Sequence, residues 1–181
     1  ELSTGWGIWS TYIDPSDANM ASVFEGIVDN LTIVKDESGS VYWPMFGLNS
    51  IGELTEGKGY QAKMLANDTL VLEGDLVPYD YSLELTEGWG IMGFLHINPE
   101  GYSAADMMVP VVDQLTILKD EEGAVYWPMF GLNSIGNMIP DKGYQVKMME
   151  DATFSYPSVG RFGYSDITKL EKPVYFETAV N

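Results

Sequence analysis

The chain has 181 residues, no cysteine, and 27 acidic side chains against nine lysines and arginines, which gives a net charge of −18 at pH 7. This composition excludes disulfides and thiolate metal sites. It also opposes binding to nucleic acid or to an anionic membrane surface, because both partners require a basic patch. The hydrophobic content of 45% indicates a folded chain, yet no apolar run is long enough for a membrane-spanning helix, so membrane insertion is not expected.

An internal duplication determines the organisation of the chain. Residues 41–52 recur letter for letter as residues 125–136, an offset of 125 − 41 = 84 residues. Units of about this size bury modest cores, so the two copies are expected to pack against each other or against neighbours. The predicted organisation is a first repeat at residues 1–74, a linker at 75–83, a second repeat at 84–158 and a unique tail at 159–181.

The first repeat opens with a predicted strand at residues 8–13. A helix is predicted next, because apolar residues recur with helical spacing. This helical face consists of Met20, Val23, Phe24, Ile27 and Val28. Strands are then predicted at residues 31–36, 41–46, 60–64 and 69–72.

The second repeat keeps this order of elements, and its helical face consists of Ala104, Met107, Met108, Val111 and Val112. Pro110 stands where the first repeat has Gly26, so the last turn of each helix is expected to be distorted. We therefore predict an α+β fold. It has two tandem β-rich repeats, each a small antiparallel or mixed sheet with one short helix, and a C-terminal strand at residues 173–179.

A recurring set of short motifs resembles a known type of repeat. The motifs are Gly-Trp at 5–6, Lys-Asp at 35–36, Ile-Gly at 51–52 and Gly-Lys-Gly-Tyr-Gln-Ala-Lys at 57–63. Their counterparts begin at Gly88, Lys119, Ile135 and Asp141, where Asp141 replaces the first glycine of the last motif, so those two turns need not be identical. The pattern resembles a small repeat of secreted surface proteins of Bacteroidota and of marine phage structural proteins.

That resemblance implies an extracellular, cell-surface or virion-surface location and a non-catalytic module. It implies no active-site residues and no cofactor. The expected partners are sister copies of the chain or other surface proteins, so the leading interpretation is a structural or adhesive module that self-assembles. The tail offers an assembly candidate, because residues Pro173, Val174, Tyr175 and Phe176 could add a strand to an open sheet edge.

No catalytic set is predicted. His96 is the single histidine and occurs in only one repeat, which favours a structural role. Paired carboxylates lie in turns, where nothing indicates the cleft that a glycosidase needs, so an acidic hydrolase is a third option only. The same acidic turns, Asp36-Glu37 and Asp120-Glu121-Glu122, could hold a surface calcium ion weakly, but no stretch matches a calcium-binding loop.

The alternative interpretation is a carbohydrate-binding module. Adjacent residues on a strand face opposite sides, so one aromatic residue of each Tyr-Trp pair is expected in the core and the other can be exposed. An exposed ring beside an asparagine could stack on a sugar, whereas the competing interpretation is that both rings pack inside. The candidate ligand-binding residues are Tyr42, Trp43, Asn49, Tyr126, Trp127 and Asn133.

Overall fold

The computed structural model of the protein describes residues 1–159. We call residues 1–76 the first half and residues 77–159 the second half. The strands of the first half are β1 (Gly5–Trp9), β2 (Ile13–Pro15), β3 (Leu31–Lys35), β4 (Val41–Trp43), β5 (Leu48–Asn49), β6 (Tyr60–Met64) and β7 (Gly74–Leu76). The strands of the second half are β8 (Leu83–Leu85), β9 (Gly88–Gly93), β10 (Tyr102–Ser103), β11 (Leu115–Lys119), β12 (Val125–Trp127), β13 (Leu132–Asn133), β14 (Asn137–Met138), β15 (Gly143–Met148) and β16 (Ala152–Phe154).

Each half contains one five-stranded antiparallel sheet, and the two sheets have the same strand order. The first sheet runs β1-β6-β3-β4-β5, and the second runs β9-β15-β11-β12-β13. The pairs β2–β7, β10–β14 and β8–β16 form three further two-stranded sheets. Consequently β5 and β13 are the outer strands of their sheets, and β1 and β9 lie at the opposite edges.

The predicted α+β class is wrong, and the fold is predominantly β. Strands account for 40% of the structure and helices for 14%, in five small sheets. The regular helices are single turns, α1 (Met20–Val23) and α2 (Ala104–Met107), followed by 3-10 turns at Glu25–Asn30 and Val109–Val111. The apolar spacing identified the residues that face inward, but a helical turn plus a 3-10 turn satisfies the same spacing. Gly26 and Pro110 lie within those 3-10 turns, where an α-helix cannot continue easily.

Three strand predictions also need correction. The predicted strand at residues 8–13 is wrong, because β1 ends at Trp9 and residues 10–12 form no strand before β2 begins at Ile13. The predicted strand at residues 69–72 is absent from the structure, and its chain instead runs without ladder pairing before β7. The predicted strand at residues 41–46 ends at Trp43, because Pro44 begins a 3-10 turn that covers Pro44–Phe46. The predicted C-terminal strand at residues 173–179 lies outside the described residues.

Each half has its own hydrophobic core beneath its five-stranded sheet. The first core gathers Met20, Phe24, Val34, Tyr60 and Met64 with their neighbours. The second is larger and includes Phe94, Met107, Leu118, Phe154 and Tyr156. Full burial of side chains this large stabilises each half by about 1.5–3 kcal/mol per residue, which is the main support of both sheets.

The two halves meet through reciprocal contacts at the β1 and β9 edges. Ser10 N–H donates to the carbonyl of Asp141 (3.1 Å), and Gly93 N–H donates to the carbonyl of Gly57 (2.8 Å). These are equivalent contacts with the halves exchanged. Asp141 has φ 65° and Gly57 has φ 71°, so the turn keeps one left-handed conformation even though its residue differs. The chain therefore contains an approximate internal two-fold arrangement.

A pair of glutamates completes this junction, and we call the arrangement the carboxylate clasp. Glu121 accepts the N–H of Ile8 (2.9 Å) and forms an ion pair with Lys142. Glu37 accepts the N–H of Ile91 (3.0 Å) and forms an ion pair with Lys58. Each glutamate extends from a hairpin turn in one half to an edge strand of the other, so the clasp gives partners to N–H groups that β1 and β9 would otherwise leave open.

Candidate functional site

Two exposed apolar surfaces lie at the outer edges of the two sheets. We call Trp43, Met45, Phe46 and Leu48 the first apolar edge, and Trp127, Met129, Phe130 and Leu132 the second apolar edge. Met45 is 79% exposed and Met129 is 81% exposed, and Phe46 and Phe130 are also largely exposed. Because a large exposed apolar surface in water normally has a partner, these two edges are the first candidate sites.

The local sequence explains why these side chains face outward. Pro44 and Pro128 end the preceding strands and begin 3-10 turns, and Gly47 and Gly131 end those turns in the left-handed conformation. The turn residues therefore leave the alternation of the strand and lie outside the core. No residue in either stretch, 41–52 or 125–136, carries a charge.

The predicted aromatic candidates divide between core and surface. Tyr42 and Tyr126 are buried, whereas Trp43 and Trp127 are half-buried. Trp43 packs edge-to-face on Phe46 with ring centroids 4.7 Å apart, and Trp127 does the same on Phe130 at 4.8 Å. The tryptophans are therefore part of the apolar edges.

The two predicted asparagines have structural roles. Asn49 Oδ1 accepts the N–H of Gly52 (2.8 Å), and Asn49 Nδ2 donates to the Gly52 carbonyl (3.0 Å). Asn133 makes the same two contacts with Gly136 at 3.0 and 3.2 Å. These amides close the loops that follow β5 and β13. The stacking of a sugar on Trp43 or Trp127 stays a prediction, and here both amides are already engaged by backbone.

The acidic turns are also engaged internally. Asp36 Oδ1 accepts the N–H groups of Ser38 (2.9 Å) and Ser40 (2.8 Å), and Asp120 Oδ1 accepts the N–H of Ala124 (2.7 Å). The neighbouring Glu37 and Glu121 belong to the carboxylate clasp. Within residues 1–159, no three His, Asp or Glu side chains come together in a way that could hold a metal ion.

A second surface, which was not predicted from the sequence, consists of two tryptophans and four lysines. Trp6 in β1 is 53% exposed, with the Nζ atoms of Lys35 and Lys63 at 5.1 and 5.9 Å from its ring centroid. Trp89 in β9 is 52% exposed and has Lys119 and Lys147 at 5.9 and 5.7 Å. We call each group a tryptophan–lysine cluster. The sequence indicates these clusters by repetition. Gly-Trp occurs in both repeats, and Lys35 and Lys63 recur at the equivalent positions Lys119 and Lys147.

A cavity adjoins each tryptophan–lysine cluster at the junction of the halves. The cavity beside Trp6 has a volume of about 240 Å³, and the cavity beside Trp89 has about 180 Å³. Gln61 and Gln145 line both cavities. The cavity beside Trp6 is also lined by Lys119, Asp120 and Glu121, and the cavity beside Trp89 by Asp36 and Glu37. Each set of residues belongs to the opposite half, so neither cavity exists in an isolated half.

His96 lies in an aromatic environment inside the second half. Its ring stacks on Tyr79 with centroids 4.8 Å apart and also packs against Phe94, Tyr102 and Tyr156. Burial lowers the pKa of the imidazole below its ordinary value, while the backbone carbonyl of Pro157 acts in the opposite direction.

The comparisons add no further information on identity. The chain matches no protein-family model, no curated protein and no solved structure. The resemblance to a surface-protein repeat therefore stays a prediction. None of the helices in the described part of the chain is both long and apolar enough to cross a bilayer.

Proposed function

We propose that the protein is a non-catalytic, extracellular structural or adhesive module that associates with sister copies through its two apolar edges. The observation that carries this proposal is that the two apolar edges have identical sequences. The two twelve-residue stretches at 41–52 and 125–136 are the same in every position, including the exposed ones. A shared surface chemistry at both edges supports a shared type of contact.

Comparison with other exposed positions supports this interpretation. Core packing accounts for the identity of buried Tyr42 and Tyr126, but it cannot account for Met45 and Met129, which touch solvent. Some other exposed positions differ between the halves, as where exposed Glu25 corresponds to exposed Val109. Methionine and aromatic side chains are also enriched at protein interfaces, where lysine and glutamate are depleted.

The strand order supports a linear mode of association. β1 and β9 lie at the junction, and three strands in each sheet separate them from the outer strand, which makes four inter-strand spacings. At about 4.8 Å per strand, each apolar edge lies roughly 19 Å from the junction side of its sheet. Because the edges lie at the outer strands of both sheets, contact between edges of different copies extends a chain and does not close a ring within one copy.

The decisive experiment removes one apolar edge or both and measures the size of the resulting assembly. Met45→Ser/Phe46→Ser removes most of the first apolar edge, and Met129→Ser/Phe130→Ser removes most of the second. Light scattering after gel filtration and electron microscopy of the same fractions should show filaments or large oligomers for the wild type. They should show mainly dimers for either single-edge variant and monomers for the variant that lacks both edges.

A matched control replaces apolar side chains that are exposed elsewhere. Leu65 and Val71 are 65% and 70% exposed and lie outside both edges, so Leu65→Ser/Val71→Ser should assemble like the wild type. A wild-type chain that stays monomeric at high concentration would contradict the proposal. Equal loss of assembly in the control variant would contradict it as well.

The proposed contribution of the tail is tested separately. Residues 173–176 are the assembly candidates from the sequence and lie outside the described residues, so their role stays a proposal. Deletion of residues 160–181 should weaken assembly if the tail adds a strand to an open sheet edge.

The same fractions should be compared with and without calcium, because calcium dependence would support a weak ion site in the acidic turns.

A further inference from the structure

The ten methionines of the chain fall into two groups that differ in exposure. Three of them, Met45, Met129 and Met149, are 79%, 81% and 54% exposed. The other seven are at most 3% exposed and belong to the two cores: Met20, Met64, Met92, Met107, Met108, Met138 and Met148. The two most exposed methionines therefore occupy equivalent positions, one in each apolar edge.

An exposed methionine is a site of covalent modification by a hydroperoxide. A lone pair of the thioether sulfur attacks one peroxide oxygen, so that an S–O bond forms and the O–O bond breaks. With hydrogen peroxide, the departing oxygen takes the proton and leaves as water. The sulfur is thereby oxidised to a sulfoxide and the peroxide is reduced. The chain has no cysteine, so no thiol of its own consumes the oxidant first.

A sulfoxide changes the character of an apolar edge. It replaces a flexible apolar side chain with a polar one that accepts hydrogen bonds. Methionine, phenylalanine and leucine, which supply three of the four side chains of each edge, have no hydrogen-bond donor. A sulfoxide covered by a second edge would therefore be left largely without a partner, and the burial of an unpartnered polar group is unfavourable.

Met149 provides a comparison from within the same chain. It lies outside both apolar edges, and the first half has Leu65 at the equivalent position, since 149 − 84 = 65. Both side chains are exposed, so leucine replaces methionine at an exposed apolar position of this fold. Apolar surface alone thus does not require a methionine, yet both edges have one.

We propose that Met45 and Met129 are sites of reversible oxidation by hydroperoxides and, given the proposed function of the apolar edges, that their sulfoxides stop the association of sister copies. The seven core methionines are shielded from the oxidant, so the modification alters the edges and leaves the fold in place. Reductases that act on methionine sulfoxide restore the thioether, which makes the edges apolar again.

The first test measures which methionines react. The full chain is treated with hydrogen peroxide at low protein concentration, and the sulfoxides are located by peptide mass spectrometry. Met45 and Met129 should react at least as fast as Met149 and at least about tenfold faster than the seven core methionines. At high protein concentration Met45 and Met129 should react more slowly, because edges cover each other, whereas Met149 should keep its rate. Circular dichroism should show an unchanged fold.

The second test measures assembly of the same samples by light scattering. The oxidised wild type should need a protein concentration about tenfold higher, or more, to assemble, because each contact then buries a polar group. Treatment with sulfoxide reductases for both epimers should restore assembly. Met45→Leu/Met129→Leu should assemble both before and after peroxide. Met149→Leu is the matched control and should lose assembly on oxidation as the wild type does.

The outcomes separate this proposal from the proposed function. Unchanged assembly after complete oxidation of Met45 and Met129 would overturn the oxidation proposal alone. Equal peroxide sensitivity of the Met45→Leu/Met129→Leu variant would overturn it too, and so would edge methionines that react no faster than those of the core. A wild type that is monomeric before peroxide is added would contradict the proposed function, and the oxidation proposal with it.

Discussion

Glu121 accepts the backbone N–H of Ile8 at 2.9 Å across the junction of the two halves. The equivalent bond, from Ile91 N–H to Glu37, measures 3.0 Å. Each bond joins a charged acceptor in one half to a strand edge in the other. Since hydrogen bonds to charged groups are worth more than neutral ones, these two contacts couple the folding of both halves.

The first prediction concerns the clasp. Glu121→Ala should lower the free energy of unfolding by about 1–2 kcal/mol, because it removes the acceptor of a part-buried N–H and the partner of Lys142. Urea denaturation followed by circular dichroism measures the change. Glu122→Ala is the matched control, since Glu122 is adjacent and exposed. Equal losses in both variants would show that the clasp has no specific contribution.

The second prediction concerns the glycine opposite each glutamate. A Cβ on Gly7 would lie 2.8 Å from Glu121 Oε2, and a Cβ on Gly90 would lie 2.9 Å from Glu37 Oε2. Gly7→Ala should therefore push the carboxylate away from Ile8 and destabilise the protein in denaturation experiments. In a Glu121→Ala background the same substitution should cost much less. Gly26→Ala is the control, because no atom lies within 4 Å of its Cβ. Additive effects of Gly7→Ala and Glu121→Ala would argue against this mechanism.

The third prediction concerns pH and His96. Burial lowers the pKa of this imidazole in the folded state, so below about pH 6.5 the unfolded chain binds a proton that the folded chain does not. Stability should therefore fall as the pH decreases below about 6.5, by at most about 1.4 kcal/mol per pH unit, until the pKa of the folded state is reached.

The variant His96→Phe isolates this effect. It keeps an aromatic ring among Tyr79, Phe94 and Tyr102 but cannot bind a proton. The difference in unfolding free energy between wild type and variant should grow from pH 7 to pH 5. A difference that is independent of pH would show that His96 titrates alike in the folded and unfolded chains.

The fourth prediction concerns Tyr156, whose hydroxyl donates to the Gly93 carbonyl at 2.8 Å inside the second core. Tyr156→Phe should lower the free energy of unfolding by about 1–2 kcal/mol, because a buried hydrogen bond is lost. Tyr79→Phe serves as the control, because its hydroxyl makes no hydrogen bond within the described residues. Similar stability of the two variants would contradict a role for the bond.

Tyr156 also gives the chain a response to alkali. Burial raises the pKa of this phenol well above its ordinary value of 10.0 and raises the pKa of Tyr144 to about 12. Since the unfolded chain releases these protons near pH 10, stability should be complete below that pH and should fall as the pH rises above it. Absorbance of phenolate during unfolding measures the coupling.

The sequence was most informative where its two copies could be compared. Alternation in Tyr60–Met64 identified the inner strand β6, and the helical spacing of Met20, Val23 and Phe24 identified a buried face. It could not distinguish an α-helix from one turn followed by a 3-10 turn, because both repeat every three to four residues. The α+β prediction failed for that reason.

For the candidate surfaces, too, the sequence predicts local patterns and not the contacts that form only in the assembled fold. Tyr42 and Trp43 were predicted to lie on opposite faces of a strand, because strand alternation is a local property, and Tyr42 is buried whereas Trp43 is half-buried. Trp6, by contrast, is grouped with Lys35 and Lys63 only after β1, β3 and β6 are assembled. The clasp likewise joins residues 113 positions apart in the chain, a relation that no local pattern contains.

The reciprocal junction resembles the interface of a two-fold dimer whose partners are joined in one polypeptide. Separate partners would dissociate on dilution, whereas a short connection keeps the local concentration of each half near millimolar for the other. The junction and the cavities beside it should therefore persist at any protein concentration. Dilution can weaken only the contacts between chains. A property that survives dilution therefore belongs to the single molecule, and a property that is lost belongs to the assembly.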